Sequence, residues 1–135
     1  MSDNMITLTG NTTRDPELRY TPSRRPVAVF GLAVDRRYQV NGDWKEQTSF
    51  FDVVAWGTLG ENAAASLRKG DRIVVTGRLE QRHWDADDGT RRSKHEVIAS
   101  DVGASLHWAQ AAITKITRAD QAPHPADTEP SNEPF

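Results

Sequence analysis

The sequence predicts an all-β domain of five strands and one short helix, followed by a polar C-terminal tail. Apolar and polar residues alternate in five separate stretches, which is the period of two that half-buried strands show. Only residues 58–69 carry apolar side chains at a convincing helical spacing. From residue 118 the chain is rich in Pro, Ala, Asp and Glu without a core pattern, which indicates a disordered acidic tail.

Composition limits the class of protein. The 135 residues suit one domain and a tail, and the absence of cysteine excludes disulfides and thiolate metal sites. No apolar run approaches the roughly 18 residues of a membrane span, and the N-terminus lacks a signal-peptide layout, so we expect a cytoplasmic protein without a membrane partner. All 17 Lys and Arg residues precede residue 119, whereas four of the 19 acidic residues follow it, which leaves a mildly basic body.

The first half of the chain contains two predicted strands before the central one. The first strand, residues 5–9, is bent or bulged at residues 10–11. Residues 14–20 form a polar segment interrupted by proline, and the second strand, residues 27–38, begins apolar and ends basic. The Asn-Gly pair at residues 41–42 predicts a tight turn that leads through a loop into the third strand.

The third strand, residues 48–57, is the clearest in the sequence and carries aromatic side chains on both faces. Phe51 belongs to a plain core face. The other face is unusual for a solvent surface, because Phe50 and Trp56 stand six residues, or about 20 Å, apart on it. Spaced rings on an open surface are what unstacked nucleic-acid bases require, although burial in a subunit interface would use the same residues.

The helix is predicted between the third and fourth strands. Thr58 is the predicted N-cap, Glu61 completes a capping box, and Gly70 ends the helix. Its narrow apolar stripe consists of Leu59, Ala63 and Leu67.

Two further strands follow as a hairpin. The fourth strand, residues 72–84, is apolar on one face, and the fifth strand, residues 91–99, returns after a turn at residues 88–89. Five strands with a helix between the third and fourth is the order of an OB-fold, a small Greek-key barrel. The interior helix favours this fold over a β-sandwich. For the segment after residue 102, periodicity alone leaves helix and strand equally open.

Several motifs resemble bacterial single-stranded DNA-binding proteins and occur in the same order. The resemblance covers about residues 4–118, and the last three residues look like the C-terminal tip of that family. The motifs are I-T-L-T-G-N at 6–11, D-P-E-L-R-Y at 15–20, K-E-Q-T at 45–48, R-K-G at 68–70 and V-T-G-R-L at 75–79.

The resemblance implies an OB-fold, residues 1–101, that wraps single-stranded DNA without sequence preference in replication, recombination or repair, as a homotetramer in the bacterial cytoplasm and nucleoid. It implies that residues 102–117 add a C-terminal strand that clasps a neighbouring subunit, ahead of the disordered tail at 118–135. Replication and repair proteins would dock on the tip residues Glu133, Pro134 and Phe135. The implied stacking residues are Tyr38, Phe50, Trp56 and Trp84.

Basic residues flank those rings, and we expect several of them to follow the phosphate backbone. They are Arg36, Arg37, Lys45, Arg78, Arg82, Arg91, Arg92 and Lys94. Two features depart from the family pattern. Asp52 stands between Phe50 and Trp56, where the family often has a basic residue. Its carboxylate repels phosphate unless Arg78 or another cation neutralises it. The acidic tip is also diluted by neutral residues.

Two other functions remain open at this stage. Asp52 and the mild charge motivate an OB-fold interaction protein with weak or lost DNA affinity. An enzyme is disfavoured, because the four histidines have no metal-ligand spacing and no glycine loop for phosphate is present. We therefore predict no catalytic residue, no metal and no cofactor. Trp44 is expected to pack its loop, with a base contact as the less favoured role.

Overall fold

A computed structural model describes residues 2–116 of the chain. In chain order, its elements are β1 Ile6–Thr12, β2 Glu17–Tyr20, β3 Pro26–Val40, β4 Asp43–Trp56, α1 Gly57–Ser66, β5 Arg72–Asp85 and β6 Arg91–Ala104. The predicted tail at 118–135, with its tip Glu133, Pro134 and Phe135, lies outside the described residues.

The strands form one sheet in the order β1-β5-β6-β4-β3-β2, and five of them close into a barrel. Closure is possible because β1 pairs with β5 along most of its length and with β3 at Asn11 and Thr12. The β4–β6 pairing is parallel, whereas the other pairings are antiparallel. This confirms the predicted OB-fold barrel, with β2 as an additional strand and the helix before β5.

The barrel core consists of the apolar side chains that point inward from alternate strand positions. The largest of these, including Phe30, Leu32 and Ile73, are completely buried. Full burial of one such side chain contributes about 1.5–3 kcal/mol, so this interior supplies most of the favourable free energy of folding. Ala63 of the helix and Leu67, which follows its last residue, are part of the core, and Leu59 packs against it. The three apolar residues predicted as one stripe therefore all face the core.

The predicted ends of the helix were wrong. The helix begins at Gly57, so Thr58 lies inside its first turn, and the N-cap is Trp56, which makes no side-chain capping bond. The physical reason is the positive φ of 69° at Gly57, which turns β4 directly into the helix. At the other end, Arg68 lies beyond the last turn but donates hydrogen bonds to the carbonyl oxygens of Ala64 and Leu67 at 3.1 and 2.7 Å.

Strands β3 and β4 continue past the barrel as a two-stranded ribbon. Pairing extends without interruption to Val40 opposite Asp43, and the turn has positive φ at Asn41 and Gly42, as the Asn-Gly pair predicted. The loop expected before the third strand is therefore part of β4. Strand β2 was also missed, because its four residues are all exposed and carry no alternating pattern.

The C-terminal strand expected after the barrel does not continue beyond residue 104 in the described residues. Residues 102–104 complete β6, and residues 105–116 form neither helix nor strand in this single chain. Together with helix α1 they line a groove of about 450 Å³. In the part of the chain that the structure describes, no helix is long and apolar enough to cross a membrane.

Candidate functional site

The register of β4 defines one continuous surface outside the barrel. Asp52 lies opposite Gly31 of β3 and beside Glu96 of β6, and Val54 lies beside Ile98. Because side chains alternate across a strand, these residues share a face that points away from the core. We call it the outer face, and its β4 members are Phe50, Asp52, Val54 and Trp56.

The β5–β6 hairpin extends the outer face on the other side of β4. Arg82 lies opposite Lys94, and Trp84 lies opposite Arg92, in the antiparallel pairing of these strands. The same alternation places Arg78 on this side. Three of the four predicted stacking residues, Phe50, Trp56 and Trp84, are therefore on one surface with several of the predicted cations.

The rings of the outer face are open to solvent rather than sealed in the barrel. Phe50 is 74% exposed and Trp84 is 39% exposed, while Trp56 is half-buried at the end of β4. Each of the two tryptophans carries a guanidinium over its ring. The Cζ atom of Arg25 lies 4.5 Å from the centroid of Trp56, and that of Arg82 lies 5.3 Å from Trp84. Such stacking orders the ring and sets a positive charge beside it.

Trp44 also belongs to the aromatic residues of the outer face, although the sequence analysis placed it in a loop. It is 61% exposed, and the Cζ atom of Arg37 lies 5.0 Å from its ring centroid. Since β4 begins at Asp43, alternation puts Trp44 on the face of Phe50 and Trp56. Trp44, Phe50 and Trp56 recur at intervals of six residues. This spacing is visible in the sequence, but it indicates a shared face only if the strand begins directly after the turn.

Tyr38 lies on the opposite face from the other three predicted stacking residues. It lies across from Lys45, and Arg36 lies across from Gln47, so these residues occupy the reverse side of the ribbon. The Cζ atom of Arg36 lies 5.0 Å from the Tyr38 ring, and its Nη2 donates to Oε1 of Gln47 at 3.1 Å. Arg91, opposite Asp85, likewise faces away from Trp84. The predicted residues are thus divided between two surfaces.

Asp52 is neutralised, but not by the residue first expected. Lys94 Nζ lies 3.3 Å from Oδ2 of Asp52, and Arg14 Nη2 lies 3.8 Å from its Oδ1. Arg78 instead pairs with Glu80 at 3.2 Å. Sequence reasoning overlooked Arg14, because only the folded chain brings it to β4.

Glu96 joins the same cluster. It is only 8% exposed, and its carboxylate lies 3.5 Å from Lys94 Nζ and 3.8 Å from Arg82 Nε. A buried carboxylate requires such compensation, because its transfer from water is otherwise very unfavourable. We call this cluster the central charge network, and its members are Arg14, Asp52, Arg82, Lys94 and Glu96.

Glycine opposite Asp52 makes the network sterically possible. A Cβ atom on Gly31 would lie 2.2 Å from Oγ1 of Thr13 and 3.0 Å from Nη1 of Arg14. The missing side chain therefore leaves the space through which Arg14 crosses β3 to reach Asp52. In residues 2–116, no group of three or more His, Asp or Glu side chains is arranged to hold a metal ion.

Comparison with known proteins matches the whole barrel. A profile described as the single-strand binding protein family matches residues 3–105. The single-stranded DNA-binding protein of Mycolicibacterium smegmatis is 41% identical over 119 residues, which are 86% of this chain and 72% of that protein. The protein of the same name from Mycobacterium tuberculosis is 39% identical over 134 residues, which are 93% of this chain and 82% of the relative.

A solved structure agrees with these sequence relatives. The crystal structure of a small single-stranded DNA-binding protein from Streptomyces coelicolor is similar, with a TM-score of 0.66 and 36% sequence identity. The match covers 78% of this chain and 97% of that one.

Proposed function

The chain belongs to the single-strand binding protein family, and on that premise we propose that it binds and protects single-stranded DNA in replication, recombination or repair. The observation that carries the proposal is the set of solvent-open rings on the outer face, where Trp56 and Trp84 each lie under a guanidinium. Flat rings stack on any base, so little sequence preference follows.

Stacking supplies the contacts to bases. Phe50, Trp56 and Trp84 form the main platform, and Trp44 extends it along the ribbon. Each stacked base contributes about 1–3 kcal/mol, so a few rings suffice for firm binding. Tyr38, on the reverse side of the ribbon, stacks on DNA that passes around the ribbon edge.

Phosphate contacts come from the cations beside the rings. On the outer face, Arg37, Arg78, Arg82, Arg92 and Lys94 stand near the aromatic residues, and Arg25 joins them through its position over Trp56. On the reverse side, phosphates of the DNA that reaches Tyr38 are contacted by Arg36, Lys45 and Arg91. Neutralising phosphates releases counterions, so binding weakens as salt rises.

Assembly and partners complete the proposal. We expect a homotetramer in which residues 102–117 clasp a neighbouring subunit. The exposure of Leu106, Trp108 and Ile113 supports this, because a single chain leaves these apolar side chains uncovered. The tip Glu133, Pro134 and Phe135 would engage replication and repair proteins on the nucleoid. The protein would need no catalytic group for this role.

Tryptophan fluorescence during titration with oligo-dT tests the proposal. We expect strong quenching at about 50 mM salt that weakens steadily toward about 200 mM salt, because stacking quenches indole and counterions compete for the cations. An unchanged spectrum at low salt would contradict DNA binding. Solution mass measured with and without the oligonucleotide reports the oligomer independently.

A second function rests on one observation. Two carboxylates, Asp52 and Glu96, stand in the middle of the outer face, where they oppose phosphate. They favour an OB-fold interaction protein with weak DNA affinity. The same titration separates the two functions, because an interaction protein of this kind leaves the tryptophan emission unaltered by DNA.

A further inference from the structure

We propose that the central charge network keeps DNA phosphates away from the middle of the outer face. In this inference, which rests on the proposed function, Asp52 and Glu96 act as internal anions for Arg14, Lys94 and Arg82. Bound DNA then presents bases to the middle of the face and contacts cations mainly at its edges. Arg82 and Lys94, which the proposed function counts among the phosphate contacts, therefore contribute less to phosphate binding than Arg37. Asp52 is the positioning residue, because it alone joins Arg14 to the rest of the network.

The geometry satisfies both carboxylates within the protein. Lys94 bridges them, with Nζ 3.3 Å from Asp52 and 3.5 Å from Glu96. Each carboxylate has a second cation at 3.8 Å, Arg14 for Asp52 and Arg82 for Glu96. Three positive charges therefore face two negative ones, and the cluster retains a net charge of only about +1 for phosphate to meet.

Burial makes this arrangement persistent. Glu96 is almost inaccessible, so removing its cations would leave an uncompensated charge at a site with little water. Lys94 and Asp52 are each about one-third exposed, which is enough for DNA to approach but not for full hydration. A phosphate that recruited Lys94 would have to displace two carboxylates from it.

The edges of the face differ in this respect. Arg37 lies over Trp44, and this aromatic ring leaves the positive charge uncancelled. Arg82 lies over Trp84 but also contacts Glu96 at 3.8 Å, the same distance as Arg14 from Asp52, so it belongs to the central charge network. Arg37 therefore remains available to phosphate while the central cations do not, so the salt dependence of binding is shallower than the number of cations implies.

Asp52→Asn tests the inference in the full-length chain. The substitution frees Arg14 and loosens Lys94, so affinity for oligo-dT should rise roughly three- to tenfold at about 50 mM salt. The slope of log K against log salt should steepen by about 0.7 for each domain that the oligonucleotide contacts. Asp52→Glu keeps the charge and should restore the original slope. An unchanged slope and affinity in Asp52→Asn would overturn the inference.

A double-mutant cycle with Arg14 separates the network from a general charge effect. Arg14→Gln should change affinity less than twofold in the original chain but should cancel most of the gain in Asp52→Asn, because only there is Arg14 free for phosphate. Equal losses in both backgrounds would overturn the inference. Asp43→Asn is the matched control, since Asp43 lies at the ribbon end without an ion pair among the described residues, and a gain equal to that of Asp52→Asn would also overturn it.

The two levels of failure are distinguishable. If the unaltered chain and every variant leave tryptophan fluorescence unchanged by DNA, the proposed function fails and this inference fails with it. If the unaltered chain binds but Asp52→Asn binds identically, the inference alone is overturned. Thermal unfolding of each variant identifies misfolding, and Asp52→Glu provides a folded comparison if Asp52→Asn loses stability.

Discussion

The middle and the edges of the outer face differ in what holds their cations. In the middle, Lys94 lies between the carboxylates of Asp52 and Glu96. At the ribbon edge, the Cζ atom of Arg37 lies 5.0 Å from the centroid of the Trp44 ring. A carboxylate cancels a charge and a ring does not, so cations of equal exposure differ in their availability to phosphate. A count of basic residues therefore overstates how much of this face attracts DNA.

The largest predicted effect on DNA binding concerns the exposed ring beside the middle of the outer face. Phe50→Ala removes a ring that is mostly exposed, so it should lower affinity by about 1–3 kcal/mol. Its effect on the free energy of unfolding should stay within about 0.5 kcal/mol, because little packing is lost. Oligo-dT titration and thermal unfolding measure the two quantities. A large loss of stability without a loss of affinity would place Phe50 in structural packing instead.

A second prediction tests how the middle is built. Gly31→Ala places a methyl group in the space used by Thr13 and Arg14, so the variant should be destabilised by about 1–3 kcal/mol. Displacing Arg14 also weakens its contact with Asp52. Chemical denaturation measures the stability change, and Gly103→Ala is the matched control, because a Cβ atom there meets nothing within 4 Å. Equal stability of the two variants would contradict the proposed role of Gly31.

A third prediction extends the comparison to the ribbon. Trp44→Ala should weaken binding of a long oligonucleotide by about 1 kcal/mol, because one stacked base is lost. Trp44→Phe should retain most of the affinity. An oligonucleotide too short to reach the ribbon should bind both variants equally. A uniform loss for short and long oligonucleotides would mean that Trp44 acts through the fold of the ribbon.

The smallest effect is expected at the β5–β6 turn. The Thr90 hydroxyl donates to Asp88 at 2.6 Å and lowers the pKa of this carboxyl, assisted by the Thr90 backbone N–H. Because the folded pKa is lowered, the turn gains stability above the unfolded pKa and loses it as pH falls through the folded one. Thr90→Val should raise the pKa of Asp88 toward its ordinary value. Carboxyl NMR titration measures this, and an unchanged pKa would contradict the assignment to the hydroxyl.

The alternation of side chains in the sequence was sufficient to predict the features that depend on a single strand. Alternation alone put Phe50 and Trp56 on one face, and the order of the elements gave the barrel. Trp44 was misjudged because its direction depends on where β4 begins, and the turn allowed either a loop or a strand. Thr58 was wrongly predicted as the N-cap because the conformation of Gly57 starts the helix two residues earlier, with Trp56 as the N-cap.

The central charge network could not be predicted for a different reason. It requires Asp52 beside Glu96, which follows from the parallel pairing of β4 with β6 across strands distant in sequence. It also requires Arg14 to cross β3 at Gly31. Neither contact leaves a periodic signal in the chain, so the sequence raised the need to neutralise Asp52 without identifying Lys94 and Arg14.

The most direct test of the account uses a chain with Trp84 as its only tryptophan, made by changing Trp44, Trp56 and Trp108 to phenylalanine. Rings are kept at each site, while the emission then reports Trp84 alone. We expect oligo-dT to quench this emission strongly at low salt, with recovery as salt rises. Emission that stays constant at saturating DNA would contradict base stacking on the outer face.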